Sequence, residues 1–255
     1  MGGRYDIPVD PAHPPGKARR VGLIQTRGIG DIIIALPIAD WFVQQGCEVF
    51  WPIDGASVHA FRLVKPQIKF LDVGCNARDR GYFFDAPLQL LRNAGCNSII
   101  CLYSYLSAQK VYNEHLSRFL KFDEYKYAIA GVPFEKKWQL QLNRDSDREQ
   151  ALFQKLQITR PYVCVHTETW ERPYSLRLPE EWARQYQIIN VRRLTDSPFD
   201  WIYTFEHAHK LLFIESCFSN LVDQLNLPNE KYVVLHAPVP FTPVLKNEWK
   251  IGWIS

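Results

Sequence analysis

The chain has 255 residues, of which 47% are hydrophobic and 22% are charged, enough apolar mass for one large globular domain or two small ones. This composition excludes extensive disorder, and the net charge of +3 is far below that of a dedicated nucleic-acid-binding protein. The six cysteines form no C-x-x-C pair and have no histidine at ligand spacing, so the sequence predicts reduced thiols and neither a disulfide framework nor a zinc site.

The first 18 residues are rich in proline and glycine, and we expect them to form a surface arm. They contain no apolar core of a secretory signal, and no run of the sequence approaches the length of a membrane span. We therefore expect a cytoplasmic protein.

Residues 21–41 predict a strand, a glycine loop and a helix. Residues 21–25 are typical of a short buried strand, and residues 26–30 form a tight loop before a helix that starts near Asp31 and ends at Gly46. Pro37 is expected to kink this helix or to end its first part. The loop has the sequence G-I-G-D and not G-x-G-x-x-G, so the dinucleotide fingerprint fails at its third glycine.

Asp31 has two interpretations from this pattern. An acid at a helix start commonly caps the helix and complements its dipole. The same carboxylate, held at the carboxyl edge of a parallel sheet, could also act as a general base toward an acceptor hydroxyl.

Strands and helices alternate through the rest of the first half. The predicted elements are strands 47–52, 68–73 and 98–103, helices 56–64, 85–94 and 107–119, and an extended stretch over 136–142. Residues 145–156 predict a charged helix whose R-D-S-D-R-E run is interpreted as a solvated face.

The alternation restarts after residue 158. We expect strands over 162–166, 187–191, 210–214 and, as the last strand, 232–236, with helices over 201–208 and from about 217 to 225 and a short helix from Pro179. The predicted fold class is α/β, with two Rossmann-like domains, residues 19–158 and 159–255, facing each other across a cleft.

Three segments carry a resemblance to a known family. The first is R-G-I-G-D-I-I-I-A-L-P (27–37), and the second combines Y-V-C-V-H-T-E-T (162–169) with R-L-P-E-E-W (177–182). The third is L-L-F-I-E-S-C-F-S-N-L (211–221), a strand that runs into a helix start. In this order they resemble segments of the ADP-heptose:lipopolysaccharide heptosyltransferases and their relatives, which have the glycosyltransferase-B fold.

The resemblance implies a role for residues on both domains. Asp31 would be the catalytic base on the acceptor side, in a loop formed by Arg27, Gly28 and Gly30. Other residues would bind the donor near its diphosphate, with backbone N–H groups of 216–219 facing the phosphates: His166, Thr167, Thr169, Arg177, Glu215, Ser216, Cys217, Phe218, Ser219 and Asn220. From the residues alone, His166 is either a packed, hydrogen-bonded histidine or a ligand contact.

The sequence departs from the family pattern in the donor half. Glu215 stands where the family usually has Asp, and Cys217 stands where it has Gly. Arg177 takes the place of the family's lysine and precedes Leu178-Pro179 instead of a Trp-Pro pair. These differences leave the donor's identity open.

The activity that the resemblance implies is transfer of a sugar from a nucleotide-sugar donor to a hydroxyl of a saccharide or lipid-linked saccharide acceptor. An inverting transfer needs a base for the attacking hydroxyl and positive groups for the leaving diphosphate. No D-x-D pair follows a strand, so we expect no metal and no other cofactor.

Two alternatives remain. The basic residues Lys17, Arg19 and Arg20 are compatible with a glycosyltransferase that acts on a hydroxylated base in DNA, as viral DNA-modifying enzymes do. The altered Glu215 and Cys217 are compatible with a nucleotide- or glycan-binding module without turnover.

Overall fold

The computed structural model describes residues 4–6, 19–74, 83–106, 111–112, 114–169, 173–176, 178–236, 242–246 and 249–253. The chain divides into two compact units, Met1–Asn143 and Arg144–Ser255. Both units alternate strands with helices, as the sequence predicts.

The first unit is built on a five-stranded sheet. Its strands are β1 (Arg4–Asp6), β2 (Arg20–Ile24), β3 (Glu48–Ile53), β4 (Lys69–Asp72) and β5 (Ser98–Cys101). Their order is β1-β5-β2-β3-β4, with β1 antiparallel to β5 and the other pairs parallel. The carboxyl ends of β2, β3, β4 and β5 therefore meet at one edge of the sheet.

The helices of the first unit include the long helix after β2 and a helix near the end of the unit that packs against it. They are α1 (Ile29–Gln44), α2 (Gly55–Val64), α3 (Asp85–Asn93), α4 (Glu114–Ser117) and α5 (Phe122–Ala130). The fully buried Tyr127 of α5 donates its hydroxyl to the carbonyl oxygen of Ile34 in α1 at 2.9 Å. This bond fixes α5 beside the first half of α1.

Several local predictions for the first unit differ from the structure. Helix α1 continues through Pro37 to Gln44, so the proline does not end its first part. The predicted helix 107–119 is wrong in part, because β7 (Val111–Tyr112) pairs with β6 (Tyr105–Leu106) before the short α4. The predicted extended stretch 136–142 begins inside the 3₁₀ helix Phe134–Trp138.

The predicted surface arm, residues 1–18, lies mostly outside the described residues. Its described part is β1, which pairs with β5 and so extends the sheet. The pairing gives these three residues backbone hydrogen bonds that an arm would leave to water.

The second unit has a five-stranded, fully parallel sheet. Its strands are β8 (Tyr162–His166), β9 (Gln187–Asn190), β10 (Lys210–Ile214), β11 (Glu230–Leu235) and β12 (Trp249–Trp253). The order is β12-β11-β10-β8-β9, so β8 and β10 are neighbours at the centre. The prediction that the last strand lies at 232–236 is wrong, because β12 follows β11 and pairs with it.

The helices of the second unit are α6 (Ser146–Lys155), α7 (Glu180–Gln185), α8 (Ile202–Glu206) and α9 (Cys217–Leu225), with a 3₁₀ helix over Pro198–Trp201. Within the described ranges, no helix combines the length and apolar character needed to cross a bilayer.

Helix α6 belongs to the second unit, whereas the predicted boundary after residue 158 assigns it to the first. Just before the helix, Arg144 pairs with Glu206 in α8, and within it Arg148 pairs with Asp200 at 2.8 Å. Residues 144–147 of the charged run are exposed, but Arg144, Arg148 and the buried Glu149 also make contacts with later elements. These contacts join α6 to elements about 50 to 60 residues further along the chain.

Candidate active site

The loop between β2 and α1 has the tight geometry that its glycines predict. Gly28 caps α1 with a φ of 81°, in the region that favours glycine, and its carbonyl accepts from the Ile32 N–H at 2.9 Å. A Cβ at this position would lie 2.5 Å from Oδ2 of Asp31. Gly28 therefore allows both the turn and the position of the Asp31 carboxylate, while Gly30 lies in the first turn of α1.

The Asp31 carboxylate forms an ion pair with a lysine from another helix. Its Oδ1 lies 3.0 Å from Nζ of Lys126 in α5. The Lys126 side chain is 2% exposed, whereas that of Asp31 is 37% exposed. The carboxylate is thus held but accessible, and as the acid in the first turn of α1 it also complements the helix dipole, so both interpretations stay open.

Lys126 is held on its other side by Gln25, the residue after β2. Its Nζ donates to Oε1 of Gln25 at 2.9 Å. Burial works to lower the pKa of Lys126, but the charge and hydrogen bond of Asp31, with a contribution from Tyr125, raise it, and the net direction is upward. The lysine therefore carries its proton at neutral pH.

Further hydrogen bonds fix the backbone of this loop. The Tyr103 hydroxyl accepts from the Thr26 N–H at 3.1 Å and lies 3.0 Å from Thr26 Oγ1. The Gln25 side-chain amide donates to the Arg27 carbonyl at 2.9 Å, and Trp51 Nε1 donates to the Gln25 carbonyl at 3.1 Å. Burial raises the pKa of Tyr103, so its hydroxyl stays protonated.

Arg27, predicted to belong to the acceptor-side loop, extends over an aromatic side chain. Its guanidinium carbon lies 5.4 Å from the centre of the Phe83 ring. The Phe83 ring meets that of Tyr103 edge to face at 5.9 Å. Arg27 therefore packs on Phe83, which in turn contacts Tyr103, the residue that binds the loop backbone at Thr26.

In the second unit, the described residues of the two predicted donor segments lie at the carboxyl ends of two neighbouring strands. His166 ends β8 and leads into Thr167 and Thr169, while Glu215 follows β10 and precedes α9. The two strands are parallel and in register, with His166 opposite Phe213. The structure therefore brings the two predicted donor segments to one edge of this sheet.

His166 is a packed, hydrogen-bonded histidine. Its Nδ1 donates to the Val191 carbonyl at 2.8 Å, and its ring meets the Phe218 ring edge to face at 4.9 Å. Burial lowers its pKa, so the ring is neutral at pH 7. Of the two interpretations left open by the sequence, these contacts favour the structural one.

The start of α9 has internal hydrogen bonds of its own. The Ser216 N–H donates to Ser219 Oγ at 2.9 Å, and Ser219 Oγ donates to the Ser216 carbonyl at 2.9 Å. Phe218, Ser219 and Asn220 are buried, and burial raises the pKa of the Cys217 thiol to about 12. Contact with phosphates would therefore come from the helix start and its dipole, and not from these buried side chains.

The polar loop after β8 folds back on itself. Glu168 and Pro173 form a β-bridge, and the Tyr174 N–H donates to the Thr167 carbonyl at 2.7 Å. The Tyr174 ring lies 5.6 Å from that of His236, which follows β11. Thr167 and Thr169 are thus carried by a closed loop at the same sheet edge.

Arg177, the predicted counterpart of the family's lysine, lies outside the described residues. Within the described ranges, no group of three or more His, Cys, Asp or Glu side chains is placed to hold a metal ion.

Sequence reasoning missed the partners of the predicted residues. Lys126 and Gln25 are 101 positions apart, and no local spacing indicates that they meet. Tyr174 and His236 likewise come together only through the parallel sheet. A lysine within the otherwise apolar stretch Tyr125–Ala130 is the one local signal that could have singled out Lys126.

Solved structures of glycosyltransferases share this fold. E. coli ADP-heptose LPS heptosyltransferase II matches with a TM-score of 0.63 at 10% identity, over 92% of this chain and 92% of that chain. E. coli heptosyltransferase WaaC with ADP-2-deoxy-2-fluoro heptose matches with a TM-score of 0.51 at 15% identity, over 91% and 92%. No protein-family model and no curated protein matches the sequence.

A third match is the iron-containing dodecameric glycosyltransferase TibC from enterotoxigenic E. coli, with a TM-score of 0.54 at 14% identity. It covers 86% of this chain but 58% of TibC, so the chain spans little more than half of that protein's length. These likenesses confirm the predicted heptosyltransferase-like α/β fold. The predicted cleft between facing domains stays a prediction.

Proposed function

We propose that the chain is a glycosyltransferase that transfers a sugar from a nucleotide-sugar donor to an acceptor hydroxyl, with inversion and without a metal. The observation that carries the proposal is the Asp31 carboxylate, which lies in the first turn of α1, is 37% exposed and is held by Lys126 at 3.0 Å, in a heptosyltransferase-like fold. Parallel α/β sheets bind ligands at this edge.

In the proposed reaction, Asp31 takes the proton of the acceptor hydroxyl. The acceptor oxygen then bonds to the anomeric carbon as the bond from that carbon to the diphosphate oxygen breaks. The electron pair leaves with the nucleoside diphosphate, whose charge is stabilised by the start of α9 and by Arg177. This chemistry requires both units to act on one donor–acceptor pair, and the predicted cleft is part of the proposal.

The proposed donor is a nucleotide sugar, and ADP-linked sugars are the first to test because WaaC was solved with an ADP-heptose derivative. The proposed acceptor is a saccharide or a lipid-linked saccharide. A hydroxylated DNA base is the competing acceptor, and the two are separated by supplying each in turn.

The test measures nucleoside diphosphate release from a panel of nucleotide sugars, with a glycan pool or hydroxymethylated duplex DNA as acceptor. We expect one donor to be consumed only with an acceptor, and Asp31→Asn to lower the rate at least about 100-fold while the protein still binds the donor.

A matched control is Asp40→Asn. Asp40 lies on the same helix as Asp31 and also pairs with a buried lysine, Lys65, at 2.5 Å. The Asp40→Asn substitution is expected to leave the rate of nucleoside diphosphate release per folded molecule unchanged. Wild-type protein that neither binds nor consumes any donor would contradict the proposal, as would an Asp31→Asn variant with wild-type turnover.

A further inference from the structure

Two buried lysines of the first unit, Lys65 and Lys126, each pair with an acid of α1, and the pKa values of the two lysines shift in opposite directions. Lys65 lies against Asp40, and burial lowers the pKa of Lys65 and raises that of Asp40. At Lys126 burial is the largest single influence and lowers the pKa, but the charges of Asp31, Tyr125 and Tyr103 and the hydrogen bond to Asp31 together raise it, so the net direction is upward. Lys126 therefore faces Asp31 as an ammonium.

The geometry gives the two oxygens of Asp31 different surroundings. Oδ1 is bound to Lys126 at 3.0 Å, while Oδ2 lies against Gly28, 2.5 Å from the place a Cβ would occupy. A turn of the carboxylate would lose the first contact or collide with the loop. The group is thus fixed in orientation although more than a third of the side chain is exposed.

Lys126 is itself fixed from several sides. Gln25 accepts from its ammonium, and the rings of Tyr125 and Phe122 lie 5.3 and 5.9 Å from Nζ. The titratable groups that act on it are Asp31 from α1, Tyr125 from its own helix and Tyr103 from the segment after β5, and Lys126 in turn acts on Cys101 of β5. Of the described residues, Asp31 is the carboxylate paired with it.

We infer that Lys126 is a positioning residue for the reaction: it holds the Asp31 carboxylate in one orientation, so that a hydroxyl-bearing acceptor meets a base already in place. This inference rests on the proposed function. Lys126 has 2% of its side chain exposed and acts only through Asp31. Pre-orientation of a reacting group is a recognised source of rate, since it removes the entropy cost of aligning that group.

The test compares Lys126→Met with Lys65→Met. Loss of Lys126 leaves a half-exposed carboxylate that water can solvate, so the variant is expected to fold. We expect its kcat to fall about 10- to 100-fold with an unchanged KM for the donor, and Lys126→Arg to recover part of the loss. Lys65 is as buried as Lys126 and pairs with Asp40, the other acid of α1. Lys65→Met is expected to leave kcat unchanged.

A further readout separates positioning from a structural role. In ¹⁵N-lysine spectra, the Lys126 ammonium of the wild-type protein should stay protonated at neutral pH, and Asp31→Asn should lower its titration midpoint. The spectra test the ion pair without turnover.

The outcomes distinguish this inference from the proposed function. Turnover that needs Asp31 but is within twofold of wild type in Lys126→Met overturns the inference alone. An equal loss of kcat in Lys65→Met also overturns it. Wild-type protein without turnover on any donor overturns both.

Discussion

Asp31 and Lys126 differ in exposure, and this difference decides what the loss of each side chain does to the fold. The lysine is 2% exposed and the carboxylate 37%. Removing the lysine leaves an anion in contact with water, whereas removing the carboxylate leaves a buried cation without its counterion. An Asp31 variant is therefore expected to lose stability as well as activity, and the two effects must be measured separately.

Gly28→Ala tests how closely the loop and the base are fitted. Alanine would strain a residue with φ of 81° and would place a Cβ 2.5 Å from Asp31 Oδ2, so the carboxylate must move. We expect a stability loss of about 1 kcal/mol and a fall in kcat of at least about tenfold, measured by thermal unfolding and by nucleoside diphosphate release.

The matched control is Gly46→Ala, which follows the other end of α1. Gly46 has a φ of 77°, but nothing lies within 4 Å of a Cβ added there. It should show a similar stability loss with wild-type kcat. Equal kcat in Gly28→Ala and Gly46→Ala would contradict the claim that the space at Gly28 sets the position of the Asp31 carboxylate.

At the residue scale, the sequence predicts what is local and misses what is distant. The strand, the glycine turn and Asp31 lie within eleven positions (21–31), so their spacing is informative. Lys126, which holds the carboxylate, comes from α5, and its approach depends on the packing of Tyr127 against α1. No periodicity in the sequence indicates that Lys126 lies next to Asp31.

At the scale of single elements, α6 shows how a charged run can carry tertiary contacts. The side chain of Glu149 is 3% exposed; it pairs with Arg144 and accepts from the Tyr203 N–H of α8 at 3.0 Å. The i,i+4 pattern predicted a solvated helix because opposite charges on one helix commonly pair with each other. Here Arg144 and Arg148 also pair with Glu206 and Asp200 of later elements, and the unit boundary precedes α6 for that reason.

Arg148→Ala tests this attachment. Arg148 binds Asp200 at 2.8 and 3.0 Å, and Asp200 is buried. We expect a loss of about 2 kcal/mol in the free energy of unfolding, because a buried carboxylate loses its partner.

Arg184→Ala is the control, since Arg184 and Glu180 form an exposed pair one helical turn apart. Its cost should be at most about 0.5 kcal/mol. If denaturant unfolding gives the same loss of free energy of unfolding for Arg148→Ala and Arg184→Ala, the α6 ion pairs are no stronger than surface pairs.

Short strands were the elements that the sequence did not reveal. The strands β6 and β7 have two residues each, too few to show an alternating pattern. β12 is found in W-K-I-G-W, where Gly252 weakens the strand signal, and it is defined by its pairing with β11. By contrast, the buried strands β8 and β10 match their predicted bounds because continuous apolar runs mark them.

At the scale of the whole molecule, repeated βα alternation was enough to predict one parallel sheet and one that is parallel except for its edge strand β1, because parallel neighbours require crossover connections. The described residues of the two predicted donor segments meet at one sheet edge for the same reason. Phe218, Ser219 and Asn220 among them have buried side chains, and their part in donor binding stays a prediction.

The stability of the second sheet should depend on acid pH through Glu230, at the start of β11. Hydrogen bonds from Lys210, Lys250 and Tyr232 lower the pKa of Glu230 to about 2. Because the folded pKa lies below the unfolded value, this contribution is complete above about pH 4.5 and is lost as the pH falls toward 2.

Glu230→Gln should remove that part of the pH dependence. The measurement is the free energy of unfolding between pH 5 and pH 2.5 for the wild type and the variant. Identical slopes in wild type and Glu230→Gln would refute the assignment.

The most direct test of the central claim, that Asp31 is the base of a glycosyl transfer, is the turnover of the double variant Asp31→Asn with Lys126→Met. Because both charges are removed, no buried lysine is left without its counterion. The free energy of unfolding should therefore lie within about 1 kcal/mol of the wild-type value, and the variant should bind the donor normally. We predict nucleoside diphosphate release at least about 100-fold slower than wild type at saturating donor and acceptor. Release by this folded, donor-bound variant at the wild-type rate would contradict the claim.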